Sequence, residues 1–220
     1  MVGLRAANAV SYCTIDSTDY IVTISGSGVI NGTSGNDVIK GSSGADTIDG
    51  KAGDDKICGL GGADSILGGD GSDTIDGGTN IDTVDGGAGN DVIFGGSSGD
   101  SLTGGTDPDV IFGGDGNDRI YGKSGSDVLF GGTGDDYLSG STGSDVIYGE
   151  TGEDEISTGT RTEMSGADDM FLAAVDTDVA YGGTDNDSIS GADNLDVLYG
   201  EAGDDLIMGG YGNDILYGVE

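Results

Sequence analysis

The sequence predicts an all-β solenoid preceded by two short strands, and three observations carry that prediction. A nine-residue unit recurs twenty times, with Asp at its sixth position each time. Position eight is Ile, Leu or Val in eighteen units, with Met170 and Ala180 in the other two. A second period of eighteen lies over the first: Phe94, Phe112, Phe130 and Tyr148 fall eighteen residues apart, as do Val92, Val110, Val128 and Val146. One unit of this size cannot enclose its own apolar side chain, so consecutive units must stack. Length alone, 220 residues, would allow one or two globular domains, but 48 Gly, one Pro, no Trp and no His suit no ordinary core.

Taken in chain order, residues 1–31 lie outside the repeat. Ser11 to Asp16 and Tyr20-Ile21-Val22-Thr23-Ile24 are short runs of strand formers and predict two strands that cap the first coil. Gly then opens fourteen consecutive units from Gly32 to Gly149, giving a main body over residues 32–157. The clearest units are Gly113-Gly114-Asp115-Gly116-Asn117-Asp118-Arg119-Ile120-Tyr121 and Gly131-Gly132-Thr133-Gly134-Asp135-Asp136-Tyr137-Leu138-Ser139. Position four is Gly in fourteen units, and the exceptions are Asn80, Ser98, Asp107, Asp176, Asp185 and Asn194. Asn and Asp are the side chains that best tolerate positive φ, so this position predicts a left-handed backbone. A Gly-rich turn of six residues leaves about three for a strand, positions seven to nine, with position eight facing inward and its neighbours outward. Two half-turns then make one coil. Thr103, Tyr121 and Ser139 stand in the intervening units where the aromatic residues stand in the others, so one face differs from its opposite.

Phase is lost at residues 158–172 and is recovered by counting Thr158 to Thr162 and Leu172 as extra, which predicts a loop or bulge overlapping a weak unit at Glu163. The repeat resumes over residues 173–220, with a second weak unit at Ala173 and then Gly182, Gly191, Gly200 and Gly209. The pairs Val179/Tyr181, Val197/Tyr199 and Ile215/Tyr217 resume the outward apolar stripe, and unit counting puts them on the opposite face. Either the stripe switches faces or the break holds an odd number of half-turns. Ile215 to Glu220 completes a repeat without a polar closing element, which predicts an uncapped end open to stacking.

Net charge is -34, from 41 Asp and Glu against seven Lys and Arg, and a compact chain with that charge repels itself unless cations bind. Nucleic acid is excluded as a partner, since Arg5, Lys40, Lys51, Lys56, Arg119, Lys123 and Arg161 form no basic face. No segment reaches the ~18 apolar residues of a membrane span, and Met1 to Val10 are too few for the apolar core of a signal peptide. Cys58 occupies outward position nine of the third unit, within reach of the first strands, so a bridge to Cys13 stands beside the alternative of two free thiols. No catalytic constellation is visible: His is absent, neither Cys has a base partner, and the Ser residues sit in turns.

The position-six acids are Asp37, Asp46, Asp55, Asp64, Asp73, Asp82, Asp91, Asp100, Asp109, Asp118, Asp127, Asp136, Asp145, Asp154, Asp168, Asp178, Asp187, Asp196, Asp205 and Asp214. None is replaced even by Glu, which points to a fixed reach to a ligand rather than to a solvated acid. Ca2+ takes six to eight hard oxygens in flexible geometry, and Gly-rich turns add backbone carbonyls to these carboxylates. Zn2+ would want His or more Cys, and Mg2+ would keep several waters. Carboxylate pairs such as Asp135/Asp136 recur as repeat positions, so metal ligation explains them better than a glycosidase pair does.

The motif G-G-x-G-x-D-x-U-x resembles the nonapeptide of RTX (repeats-in-toxin) proteins over residues 32–217. That resemblance implies a parallel β-roll of about ten 18-residue coils, with calcium between consecutive loops on each edge, held by the position-six Asp and loop carbonyls. At most 18 same-edge pairs exist on this count, and roughly 18 divalent ions would add about +36 against -34. The expected function is an extracellular or cell-surface calcium-binding structural protein that self-assembles into a filament, sheath or surface layer. Assembly would run head to tail or through the stripe of Phe94, Phe112, Phe130 and Tyr148, with polysaccharide as the other partner for the stripe. The alternatives are a calcium-dependent folding and export module of a secreted enzyme or toxin, or an adhesin or ice-binding solenoid. The last would want a regular outward column of Thr or Asx, and position five (Asn36, Ala45, Asp54, Ala63, Ser72, Ile81) is mixed.

Overall fold

A computed structural model describes residues 12–15, 18–158 and 177–219. Each edge turn carries the backbone from one sheet to the other, so successive strands alternate between two parallel sheets of eleven and ten strands among the described residues. The larger runs from Ile24–Ser25 to Ile215–Val219 and is called the aromatic sheet below; the smaller runs from Val29–Asn31 to Leu206–Met208. Neighbouring strands stand one coil apart, Val92 beside Val110, Ile93 beside Ile111 and Phe94 beside Phe112. The eighteen-residue coil read from the outward stripe is the coil of the fold.

Position eight builds the core. Ile39, Ile57, Ile75, Ile93 and Ile111 from one sheet and Ile48, Ile66, Val84, Leu102 and Ile120 from the other lie at 2 % exposure or less in one continuous cluster. At roughly 1.5–3 kcal/mol for each fully buried side chain, this single column is the main apolar contribution to folding. Strands are longer than the sequence predicts. In the middle of the molecule they hold six residues, as in Val92–Ser97 and Val110–Asp115, because pairing with the neighbouring coil continues through positions two and three of the next unit, Gly96 beside Gly114 and Ser97 beside Asp115. The three-residue length holds only at strands such as Val38–Lys40 and Leu206–Met208.

Ahead of the roll, β1 (Tyr12–Ile15) and β2 (Thr18–Ile21) form an antiparallel hairpin. The second predicted strand is cut short at Ile21. Ile24–Ser25 and Val29–Asn31 already belong to the two sheets, with Ile30 in the core, so the roll begins before Gly32. Strand β1 of the hairpin lies on the outer face of the aromatic sheet, against strands Val38–Lys40, Lys56–Cys58 and Thr74–Thr79. A disulfide from Cys13 to Cys58, with Cα atoms 5.8 Å apart, fastens it there, and Val22, Val38 and Phe94 pack around the cystine.

The predicted loop or bulge at residues 158–172 lies, apart from Thr158, outside the described residues. Val146 pairs with Val179 and Glu155 with Ser188, a step of 33 residues where the others are 18, so 15 residues in excess leave both sheets in register. The described strands on the two sides of the break are thus direct neighbours, and the stripe keeps its face. Phe94, Phe112, Phe130, Tyr148, Tyr181, Tyr199 and Tyr217 form one stack, with centroids 4.6–5.0 Å apart and planes within 6° of parallel.

Candidate metal centres

The position-six aspartates stand in two columns, one along each edge of the roll. One holds Asp37, Asp55, Asp73, Asp91, Asp109, Asp127, Asp145, Asp178, Asp196 and Asp214. The other holds Asp46, Asp64, Asp82, Asp100, Asp118, Asp136, Asp154, Asp187 and Asp205. Within a column, the backbone N–H of each Asp donates to Oδ1 of the Asp one coil later, at 2.6 Å from Asp100 to Asp118 and 2.8 Å from Asp91 to Asp109. These bonds fix the carboxylate plane. Both columns close across the break, from Asp145 to Asp178 and from Asp154 to Asp187. They are continuous without Asp168, which lies outside the described residues.

The second oxygen is the chemically informative one. From Asp55 to Asp136 on both edges, and again at Asp154, Asp187 and Asp196, Oδ2 is buried and accepts no hydrogen bond. A buried carboxylate oxygen without a partner is costly unless a cation or a proton meets it. Burial accordingly raises these carboxyls, and charged neighbours add to it: Asp109 is pushed up to about 8, Asp91, Asp100 and Asp136 to about 7, and Asp55 and Asp82 to about 6. The N–H bond from the preceding rung opposes the shift without cancelling it.

Glycine at position one leaves room beside that oxygen. A Cβ placed on Gly95 would stand 2.6 Å from the carbonyl oxygen of Gly113 and 2.7 Å from Oδ2 of Asp100; on Gly77 it would stand 2.8 Å from Oδ2 of Asp82 and from the carbonyl oxygen of Gly95. Each such cradle thus gathers a carboxylate oxygen and a carbonyl oxygen from successive coils. Among the described residues no three His, Cys, Asp or Glu side chains converge, so a cation here would draw much of its shell from backbone carbonyls. Hard oxygens of both kinds suit Ca2+, and the residues present fit it.

Left-handed backbone occurs twice in most turns, but at neither position two nor position four in the turns of Asp37 and Asp46. At position four, Asn80, Ser98, Asp107, Asp185 and Asn194 hold φ between 73° and 87°, as their residue types predict. Their aspartates keep the buried, unpartnered Oδ2, so the substitutions leave those turns intact. At position two, Lys51, Leu60, Lys123, Glu150 and Glu201 hold φ between 70° and 81°, which sequence reasoning missed.

Three turns depart from the pattern. Oδ2 of Asp37 accepts from the N–H and hydroxyl of Thr33, and Oδ2 of Asp46 from those of Ser42, so these two loops satisfy their own carboxylates. At the break, Thr158 stands where other turns open with Gly; it is fully buried, and its hydroxyl donates to the carbonyl of Gly191 at 2.8 Å. Position five adds an outer row missed in the sequence: Asn117 accepts from the N–H of Asp135, and Asp135 from that of Glu153, at 3.2 Å and 3.1 Å.

The family model described as RTX calcium-binding nonapeptide repeat (4 copies) matches residues 23–57, 31–66, 53–84, 67–102, 94–129, 130–160, 174–207 and 191–219. No curated protein matches the chain.

Proposed function

The chain belongs to the RTX calcium-binding nonapeptide-repeat family, and from that premise we propose that it is an extracellular or cell-surface structural protein, a calcium-folded rod that associates with its own kind. The observation that carries this reading is the row of buried Oδ2 atoms along both edges. Calcium bound there would supply positive charge to oxygens that the chain leaves unmatched. The chain's own residues do the rest: Oδ1 locks each carboxylate to the preceding rung, Gly at position one keeps the space clear, and left-handed positions two and four bend the loop around it.

Nine successive pairs on one edge and eight on the other give up to seventeen inter-loop positions. Filled throughout, they would add about +34 to a chain of formal charge -34. Folding is then coupled to binding, because the unfolded chain offers no such cradle. The Cys13–Cys58 bridge, which suits an oxidising compartment, favours a location outside the cell. No helix among the described residues is long and apolar enough to cross a membrane. The absence of His and the pairing of both Cys remove His-assisted and thiol nucleophiles, which favours a structural over a catalytic role.

Negative-stain electron microscopy and light scattering in millimolar calcium, repeated after chelation, test the reading. Elongated assemblies that require calcium are expected. Folded monomers at every protein concentration would sink the assembly part and favour the folding and export module instead.

A further inference from the structure

We propose that the exposed part of the aromatic sheet is a docking face for a second copy of this chain, packed face to face and antiparallel about a two-fold axis that runs along the strands between Tyr148 and Tyr181. The inference rests on the self-associating reading above and adds the surface, the orientation and the register.

The face is already an interface at one end. Among the described residues, β1 of the hairpin lies on it over Val38–Lys40, Lys56–Cys58 and Thr74–Thr79, and Phe94 packs at the edge of that contact. Sheets pack about 10 Å apart, so the hairpin and any docked sheet would share one layer and could not overlap. The hairpin therefore acts as a stop. Among the described residues six strands remain beyond it, from Val110–Asp115 to Ile215–Val219, and each brings Val or Ile at position seven and Phe or Tyr at position nine. Six rungs at ~4.8 Å and three outward columns at ~6.7 Å give roughly 580 Å² on each copy, or roughly 1,200 Å² for the pair, the lower bound of a specific interface. In a chain of charge -34, a second copy approaches with least repulsion over this strip.

The register follows from the two acids on the face. The column beside the rings reads Gly132, Glu150, Gly183, Glu201 on consecutive strands, and Gly183 floors a hollow beside Tyr148 and Tyr181. A two-fold midway between the strands of Tyr148 and Tyr181 brings Glu150 opposite Gly183 of the partner copy and Glu201 opposite Gly132 of the partner copy. Each carboxylate meets a position without a side chain, and no acid meets an acid. The same axis sets Val against Val or Ile and ring against ring across the whole strip. Turning one copy about the long axis of the roll instead would press Glu150 onto the Val column, which burial of a charge opposes.

Cross-linking decides the matter. Val110 and Ile215 of the partner copy face each other in this pairing, whereas Val110 lies about 24 Å from its own equivalent. Val110→Cys and Ile215→Cys variants are made in the full chain, whose two native cysteines are paired, and are oxidised in saturating calcium separately and as a mixture. At least tenfold more disulfide-linked dimer is expected in the mixture than in either variant alone. No excess in the mixture, or equal linking in a single variant, overturns the pairing. Phe112→Cys with Tyr217→Cys repeats the test at the neighbouring column: excess dimer in the mixture is again expected, and its absence again overturns the pairing. Circular dichroism of each variant with and without calcium is the separate readout: a roll that folds with calcium but does not cross-link refutes the docking face and leaves the calcium reading standing.

Discussion

Gly95→Ala tests the calcium cradle with a single methyl group. The added carbon would lie 2.6 Å from the carbonyl oxygen of Gly113, 2.7 Å from Oδ2 of Asp100 and 3.1 Å from Cδ1 of Leu102, where ordinary contact begins at 3.4 Å. It must therefore push apart, by 0.7–0.8 Å, the two oxygens the cradle brings together. Overpacking on this scale costs about 1–3 kcal/mol. Gly44→Ala is the matched control, because its new carbon meets nothing within 4 Å and neither glycine holds a left-handed backbone. That control should change stability by less than about 1 kcal/mol, in the stabilising direction if at all, since Ala narrows the unfolded ensemble. Equilibrium dialysis would count bound calcium, and urea unfolding in saturating calcium would measure stability. Gly95→Ala is expected to bind at least one ion fewer and to unfold at lower urea. A full complement of ions together with an unchanged midpoint would refute the cradle.

Other expectations follow from the same geometry. In calcium-free protein the buried carboxyls of Asp55, Asp100 and Asp109 have folded pKa values above the unfolded 3.8, so their protonation stabilises the roll fully below about pH 4, and this contribution is lost as pH rises through the folded values of about 6 to 8. Far-ultraviolet circular dichroism of the chelated chain should gain β-structure on acidification from pH 8 to pH 4, and a loss of structure in that direction would contradict the burial of these carboxyls. Conversely, calcium binding below pH 8 should release protons, which unbuffered calorimetry or a pH-stat would register. Cys58→Ser removes a bridge between residues 45 apart, worth up to about 4 kcal/mol by chain-entropy reasoning; limited proteolysis should then cut the hairpin while the calcium-loaded roll resists. Deleting residues 159–173 removes the 15-residue excess at the break and should leave calcium-dependent folding intact, whereas collapse of the fold would show that these residues support the rungs beside them.

The core and the columns of aspartates were legible because they depend on the chain's own period: one inward Ile, Leu or Val and one Asp per unit leave few ways to stack. Position four was legible for a local reason, since Asn80 and Asp107 are the substitutes that a left-handed backbone selects. Position two was not, because its conformation is imposed by the neighbouring coil. At Gly96 an added carbon would run into the carbonyl oxygen of Gly78, yet residues as unlike as Leu60, Lys123 and Glu201 point outward there and erase the compositional trace. The self-satisfied loops at Asp37 and Asp46 were hidden similarly, since Thr33 and Ser42 look like ordinary variation until their hydroxyls are seen to reach the carboxylate. Parity across the break was hidden, because counting units presumes that every weak match adds a rung, whereas Val146 pairs directly with Val179 and Glu155 with Ser188. The bridge from Cys13 to Cys58 stood as one of two alternatives until the hairpin was placed on the outer face.

The constant step between rungs makes the molecule a ruler. Each eighteen residues lengthen it by one strand spacing, about 4.8 Å, and every new rung meets its neighbours through the contacts already present. The break shows that the graduation survives extra sequence, since 15 surplus residues shift no mark on either sheet. Duplication or loss of a pair of repeats would thus tune the length of the rod in even increments without redesigning any contact, while loops can be added at an edge without changing the scale.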